Sequence, residues 1–83
     1  MEKKPNIHND EYYYSIARKN IKYYRKKLNL TQQDLADITD ISREYICDIE
    51  NEKRNKHFTI ALLGRIADAL NIEIGKLFEE NKN

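Results

Sequence analysis

Arg43, Glu44, Asp48 and Asn51 are spaced so that a helix carries all four on one side, and their side chains are hydrogen-bond donors and acceptors rather than nucleophiles. A guanidinium can make a bidentate contact with a guanine edge. Ionised carboxylates only accept, so at a base Glu44 and Asp48 select the cytosine amino group or exclude the wrong base. A short helix with one apolar edge and a polar outer row is what a major groove admits.

Other chemistries find little support. His8 and His57 lie in separate polar segments with no second His or Cys at metal-ligand spacing, so no metal or other cofactor is expected. There is no Gly-rich phosphate loop and no nucleophile elbow, and a chain of 83 residues has little room for a water-excluding active site beside its core. An enzyme is therefore not expected, and no small-molecule effector is evident. Cys47 falls on the outer row, but its nearest charged neighbours are acidic, which disfavours a reactive thiolate. Five tyrosines, Tyr12, Tyr13, Tyr14, Tyr23 and Tyr24, admit a stacking platform for single-stranded nucleic acid. Core filling and amphipathic surface suit them better, because they lack the alternating strand pattern of such platforms.

The elements that must position these residues are legible as helices. Thr31 is an N-cap with Asp34 three positions on, ahead of Leu35, Ala36 and Ile38. Thr39 and Asp40 break the pattern, and Asp tolerates a left-handed backbone, so the chain can turn at once. Ser42 caps the next helix, about Ser42 to Glu50, whose Ile46 and Ile49 face inward together with the cap, with Tyr45 at the border and Ile41 stapling the corner. Ala36 is small where two helices cross closely. Upstream, Asp10 or Glu11 to Leu28 places Ala17, Ile21, Tyr24 and Leu28 on one face; Asn29 ends that helix and Leu30 turns inward. Downstream, Thr59 caps a helix with Ile60, Leu63, Ile66, Ala67 and Leu70 on a wide apolar face, stopped by Asn71. A last short helix holds Leu77 for the core. The expected organisation is a flexible tail over 1–10, one domain over 11–80 and a tail over 81–83.

Charged residues make up 35% and hydrophobic residues 40%, with two Gly and one Pro, which suits an all-α domain. No run approaches the roughly 18 apolar residues of a membrane span, and a single Cys gives no sign of secretion, so the cytosol is the expected compartment. The formal charge of +1 is unevenly spread: residues 1–30 hold eight basic against three acidic groups, and residues 31–52 hold Arg43 alone against seven acids. Phosphate neutralisation supplies most non-specific affinity for DNA. Compensation would have to come from Arg25, Lys26 and Lys27 and from Lys53, Arg54 and Lys56. A solvated charged loop is the alternative reading of the latter three.

Residues Ile16 to Phe78 resemble the Cro/repressor-type helix-turn-helix family, also called the xenobiotic-response-element family, through TQQDLA, ISREYI, the Ile49-Glu50 pair, Ile66-Ala67 and Leu70. The resemblance implies an all-α, five-helix domain of the phage lambda repressor-like type. It further implies that the helix at Ser42 is the recognition helix, that Gln32 contacts the DNA backbone, and that Arg25 pairs with Glu50. That pairing also answers an otherwise unpaired acid near the core. The chain departs from the family in lacking Gly at Glu52 and Pro at Phe58, so the recognition helix runs longer or ends in a strained turn.

The expected function is sequence-specific binding of double-stranded DNA as a small transcriptional repressor. Arg43, Glu44 and Asp48 would meet bases, and Gln32, Gln33, Ser42, Asn51, Lys53, Arg54 and Lys56 would position the backbone. Ile72, Ile74 and Phe78 are more apolar than the end of a monomer needs and match a surface that often serves the family for dimerisation. A homodimer on a palindromic operator follows. The alternative is a protein-interaction module of the same fold, an antitoxin or regulator subunit, whose acidic face binds a basic partner.

Overall fold

Four α-helices and one 3₁₀ helix follow one another along the chain in the computed structural model, which describes residues 5–80. They are α1 (Asp10–Lys27), α2 (Gln32–Thr39), α3 (Arg43–Glu50), α4 (Ile60–Ala69) and the 3₁₀ helix Ile74–Phe78. The expected fifth α-helix is thus a 3₁₀ helix. Its end is held from outside: Asn20 Nδ2 on α1 donates to Leu77 O at 2.9 Å and to the O of the capping residue Glu79 at 2.7 Å. Asp10, assigned to the tail, is the first residue of α1; residues 5–9 form no helix, and the parts of the expected tails at 1–4 and 81–83 lie outside the described residues.

Every α-helix begins at a side chain that accepts from a first-turn amide. Asn9, Thr31, Ser42 and Thr59 accept from Tyr12, Asp34, Tyr45 and Leu62 respectively, at 3.0–3.1 Å. Asn29, Asp40 and Asn71 end α1, α2 and α4, each in the left-handed region with φ 59°. The two short amide- or carboxylate-bearing residue types supply these corners, where Gly is commoner.

Ala17, Ile21, Leu35, Ala36, Ile46, Ile49, Leu63, Ile66, Ala67, Leu70 and Leu77 form the core, closed by Ile41 and Phe58. Ile46 and Ile49 are fully buried, and each contributes roughly 1.5–3 kcal/mol by leaving water. Phe58 stands where the family has Pro, and it packs edge-on against Tyr14 at 5.0 Å. Three apolar residues of the helical patterns are at the surface: Leu28 is 47% exposed, Ile38 57% and Ile60 73%. Ile38 and Ile60 flank the buried stripes of their helices, whereas Leu28 falls in line with Ile21 but lies past the last residue of α1, as its C-cap.

Candidate nucleic-acid interface

The geometry of α2 and α3 starts from their caps. Thr31 Oγ1 accepts from Asp34 N at 3.0 Å while Asp34 Oδ2 accepts from Thr31 N at 2.8 Å, a reciprocal capping box. The Thr31 backbone N–H, then its hydroxyl, hold the Asp34 carboxyl below its ordinary range. At the corner, Thr39 Oγ1 donates to Leu35 O at 2.7 Å and Ile41 N donates to Ala36 O at 3.2 Å. Ala36 is buried where α2 meets α3, and Ile41 is buried beside it. Ser42, expected inward, is exposed: its hydroxyl serves the helix end while Ile46 and Ile49 fill the core.

Arg43, Glu44 and Cys47 are exposed on the outer side of α3, and Asp48 is partly covered. Neither Arg43 nor Glu44 has an ion-pair partner within 4 Å among the described residues. Asp48 Oδ1 lies 3.7 Å from Arg54 Nε, so an expected base contact and an expected phosphate contact face each other. The helix does not run on past Glu50. Asn51 takes an extended backbone (φ −88°, ψ 109°), its side chain accepts from Lys53 N at 3.0 Å, and Asn55 turns the loop at φ 49°. Lys56 sets its Nζ 4.8 Å from the centre of the Tyr45 ring. Of the three loop cations, Lys53 alone has no such partner among the described residues.

Two guanidiniums of α1 fix the far end of α3. Arg25 Nε donates to Glu50 Oε2 at 2.7 Å and Nη2 to Oε1 at 2.8 Å, while Nη1 donates to Leu30 O at 2.7 Å. Glu50 reinforces the protonated state of Arg25 through these bonds, against the opposing effect of burial. Gln32 Nε2 also donates to Glu50 Oε1, at 3.1 Å. Gln33 is exposed and donates to Asp37 Oδ1 at 2.8 Å. Arg18, which the sequence reading passed over, is buried; its Nη1 donates to Ile49 O at 2.9 Å and its Nη2 to Lys56 O at 3.4 Å. It fastens both ends of the segment that carries Asn51, Lys53 and Arg54. A signal was available, because residues 18, 22 and 25 fall on one stripe of a helix.

Gln32, Cys47, Glu50, Asn51 and Lys53 come together around one depression of about 550 Å³, joined by Glu52 and by Lys22 of α1. Nothing in the sequence sets Lys22 apart from its basic neighbours Arg25, Lys26 and Lys27. Arg25 is used internally, and Lys27 Nζ lies 5.8 Å and 6.0 Å from the ring centres of Tyr23 and Tyr24. The acidity of residues 31–52 is partly answered within the fold: Glu50 by Arg25, Asp48 by Arg54, and Asp34 by its cap.

The tyrosines of α1 lie elsewhere. Tyr14 stacks on His57 at 4.0 Å, Tyr12 stacks on His8 at 3.6 Å and donates to Glu80, and Tyr23 meets Tyr24 edge-on. Glu80 raises the Tyr12 pKa, chiefly through that hydrogen bond. His57 Nε2 is 2.7 Å from Glu11 Oε2, so both histidines have structural neighbours. Ile72 and Ile74, expected at a dimer interface, are half-buried against the core, whereas Phe78 is exposed. Among the described residues no helix is long and apolar enough to cross a membrane.

Comparison with known proteins bears on what this surface is for. The helix-turn-helix family pattern matches residues 21–77. Over 62 residues the chain is 39% identical to control protein C.SmaI of Serratia marcescens, spanning 75% of this chain and 71% of that protein. Over 60 residues it is 37% identical to the immunity repressor protein of Bacillus phage phi105, spanning 72% of this chain and 40% of the repressor. Among solved structures, the hypothetical transcription factor NHTF from Neisseria superposes with a TM-score of 0.77 at 19% identity, covering 94% of this chain and 88% of that one. A transcriptional regulator of the HTH_3 family from Vibrio cholerae gives 0.76 at 27% identity, covering 84% and 38%.

Proposed function

The chain belongs to the helix-turn-helix family of DNA-binding transcription regulators, and from that premise we propose that α3 enters the major groove of a palindromic operator and that the protein represses transcription there as a homodimer. The observation that carries this reading is the asymmetry of α3. Its inner edge, Ile46 and Ile49, has no exposed surface, while Arg43, Glu44 and Cys47 are exposed on the outer side. The helix is held in that attitude by Arg18 and Arg25 behind it.

Arg43 is the guanine-reading residue, without an ion-pair partner within 4 Å among the described residues. Glu44 and Asp48 tune the preference by accepting from cytosine or excluding other bases. Gln32, Gln33, Ser42, Asn51 and Lys53 position the backbone, with Arg54 and Lys56 available once they leave Asp48 and Tyr45. One relative named a repressor supports repression as the outcome. The dimer surface is the largely apolar depression of about 390 Å³ lined by Tyr13, Tyr14, Phe58, Ile60, Leu63 and Phe78, with Asp10 at its edge. There Ile60 and Phe78 stand exposed, a cost in water that a second copy would remove.

Fluorescence anisotropy with a labelled random duplex at 50 and 200 mM salt tests the central claim. Six or more phosphate contacts would lower affinity by about 10³-fold or more between the two. Affinity that ignores salt refutes it. The second reading, an interaction module for a basic protein, draws on Asp40 and Glu44, both exposed without a cationic partner within 4 Å among the described residues. In that case duplex would not bind at either concentration.

A further inference from the structure

Arg18, Lys22 and Arg25 form one stripe along α1, three and four residues apart, on the side that faces the C-terminal end of α3. The outer two are consumed: Arg18 is buried on the carbonyls of Ile49 and Lys56, and Arg25 is buried on Glu50 and Leu30. Lys22 between them is exposed and has no carboxylate within 4 Å among the described residues, yet it lines the same depression as Gln32, Asn51 and Lys53.

We propose that Lys22 is a phosphate-binding residue, and that with Lys53 it brackets one DNA phosphate seated in this depression. The inference rests on the DNA-binding reading above and adds to it a contact from α1. Three features suit an anion there. Lys22 on α1 and Lys53 on the loop after α3 line one hollow. Gln32, the first residue of α2, brings an uncharged side chain to the same wall. The Glu50 carboxylate in the wall already receives two bonds from Arg25 and one from Gln32, so its charge is largely answered. Glu52 is the opposing group, an exposed carboxylate on the same rim. Lys22 thereby supplies part of the positive charge that the acidic stretch 31–52 lacks.

The test compares salt slopes on a random duplex for the unmodified protein, Lys22→Ala, Lys22→Arg and Lys19→Ala. Lys19 is also an exposed lysine of α1, but it lines a different hollow, with Tyr12, Glu79 and Glu80. Each of the two alanine variants removes one positive charge from the same helix. Loss of one phosphate contact lowers the slope of log K against log salt by about 0.9 for each bound protomer, which shrinks the affinity ratio between 50 and 200 mM by about 3.5-fold for each. That change is expected for Lys22→Ala alone, with Lys22→Arg restoring the slope and Lys19→Ala keeping it. An unchanged slope in Lys22→Ala, or an equal loss in Lys19→Ala, overturns the proposal while leaving DNA binding intact. A flat salt response in the unmodified protein would instead remove the reading on which it rests. Circular dichroism on each variant confirms that the helices persist.

Discussion

Arg25 grips Glu50 through two parallel hydrogen bonds of 2.7 and 2.8 Å, joining the last turn of α1 to the last residue of α3 with both side chains nearly out of water. Removing one partner leaves the other as an uncompensated buried charge. Glu50→Ala is expected to destabilise the fold by about 3–5 kcal/mol in urea unfolding. The double change Arg25→Met with Glu50→Leu should recover most of that loss, since a desolvated pair gives little net stability over apolar residues of similar size. A double variant as unstable as the single would show that the pair itself, and not the orphaned charge, carries the energy.

Base reading and backbone positioning should separate by mutation. Arg43→Ala is expected to lose about 1–3 kcal/mol on the preferred site and to relax the preference at one base pair, whereas Lys53→Ala should weaken every duplex alike. Selection of bound oligonucleotides from a random pool supplies the preferred site. Uniform losses from both changes would refute the division of labour.

The capping box at Thr31 predicts an acid-sensitive helix start. The Asp34 carboxyl is held below 3.8 by hydrogen bonds from the Thr31 backbone and hydroxyl, so folding favours its ionised form. Its contribution is therefore complete above the unfolded pKa and disappears as the pH falls below 3.8 and through the lowered folded value. Asp34→Asn should flatten the stability profile in that acid window, as read from thermal unfolding at a series of pH values. A profile identical to that of the unmodified protein would disconnect Asp34 from the acid response.

Self-association should follow the exposed apolar rim and not the residues packed inward. Ile60→Lys combined with Phe78→Lys is expected to shift sedimentation from dimer to monomer, with little change in melting temperature because both side chains are already at the surface. Retention of the dimer would place the two-fold contact on another face.

Much of this architecture is legible from local chemistry. Thr31, Ser42 and Thr59 announce their helices because a side-chain acceptor at a helix start answers an amide only two or three residues away. Asp40 marks the corner for an equally local reason, its tolerance of a left-handed backbone. What is not legible depends on partners distant in sequence. Nothing near Asn20 tells that it will meet the carbonyls of Leu77 and Glu79, and that contact accompanies a 3₁₀ turn where an α-helix was expected. Arg18 looks like one of many basic surface residues until Ile49 and Lys56 arrive above it. At the interface, the exposed outer row of α3 follows from its spacing, but the engagement of Arg54 with Asp48 and of Lys56 with Tyr45 does not. Those pairings depend on how the loop turns at Asn51 and Asn55, where the family's Gly and Pro are both missing.

The anchoring of α3 from behind limits how it could be transplanted. Its outward residues are interchangeable in principle, but its end is tied to α1 through a carboxylate at position 50 and a main-chain oxygen at position 49. A swap of 42–51 from another regulator would keep its orientation only if the incoming segment also ends in a carboxylate. Reprogramming this protein is accordingly a matter of editing single positions on the outer row rather than exchanging the helix as a cassette.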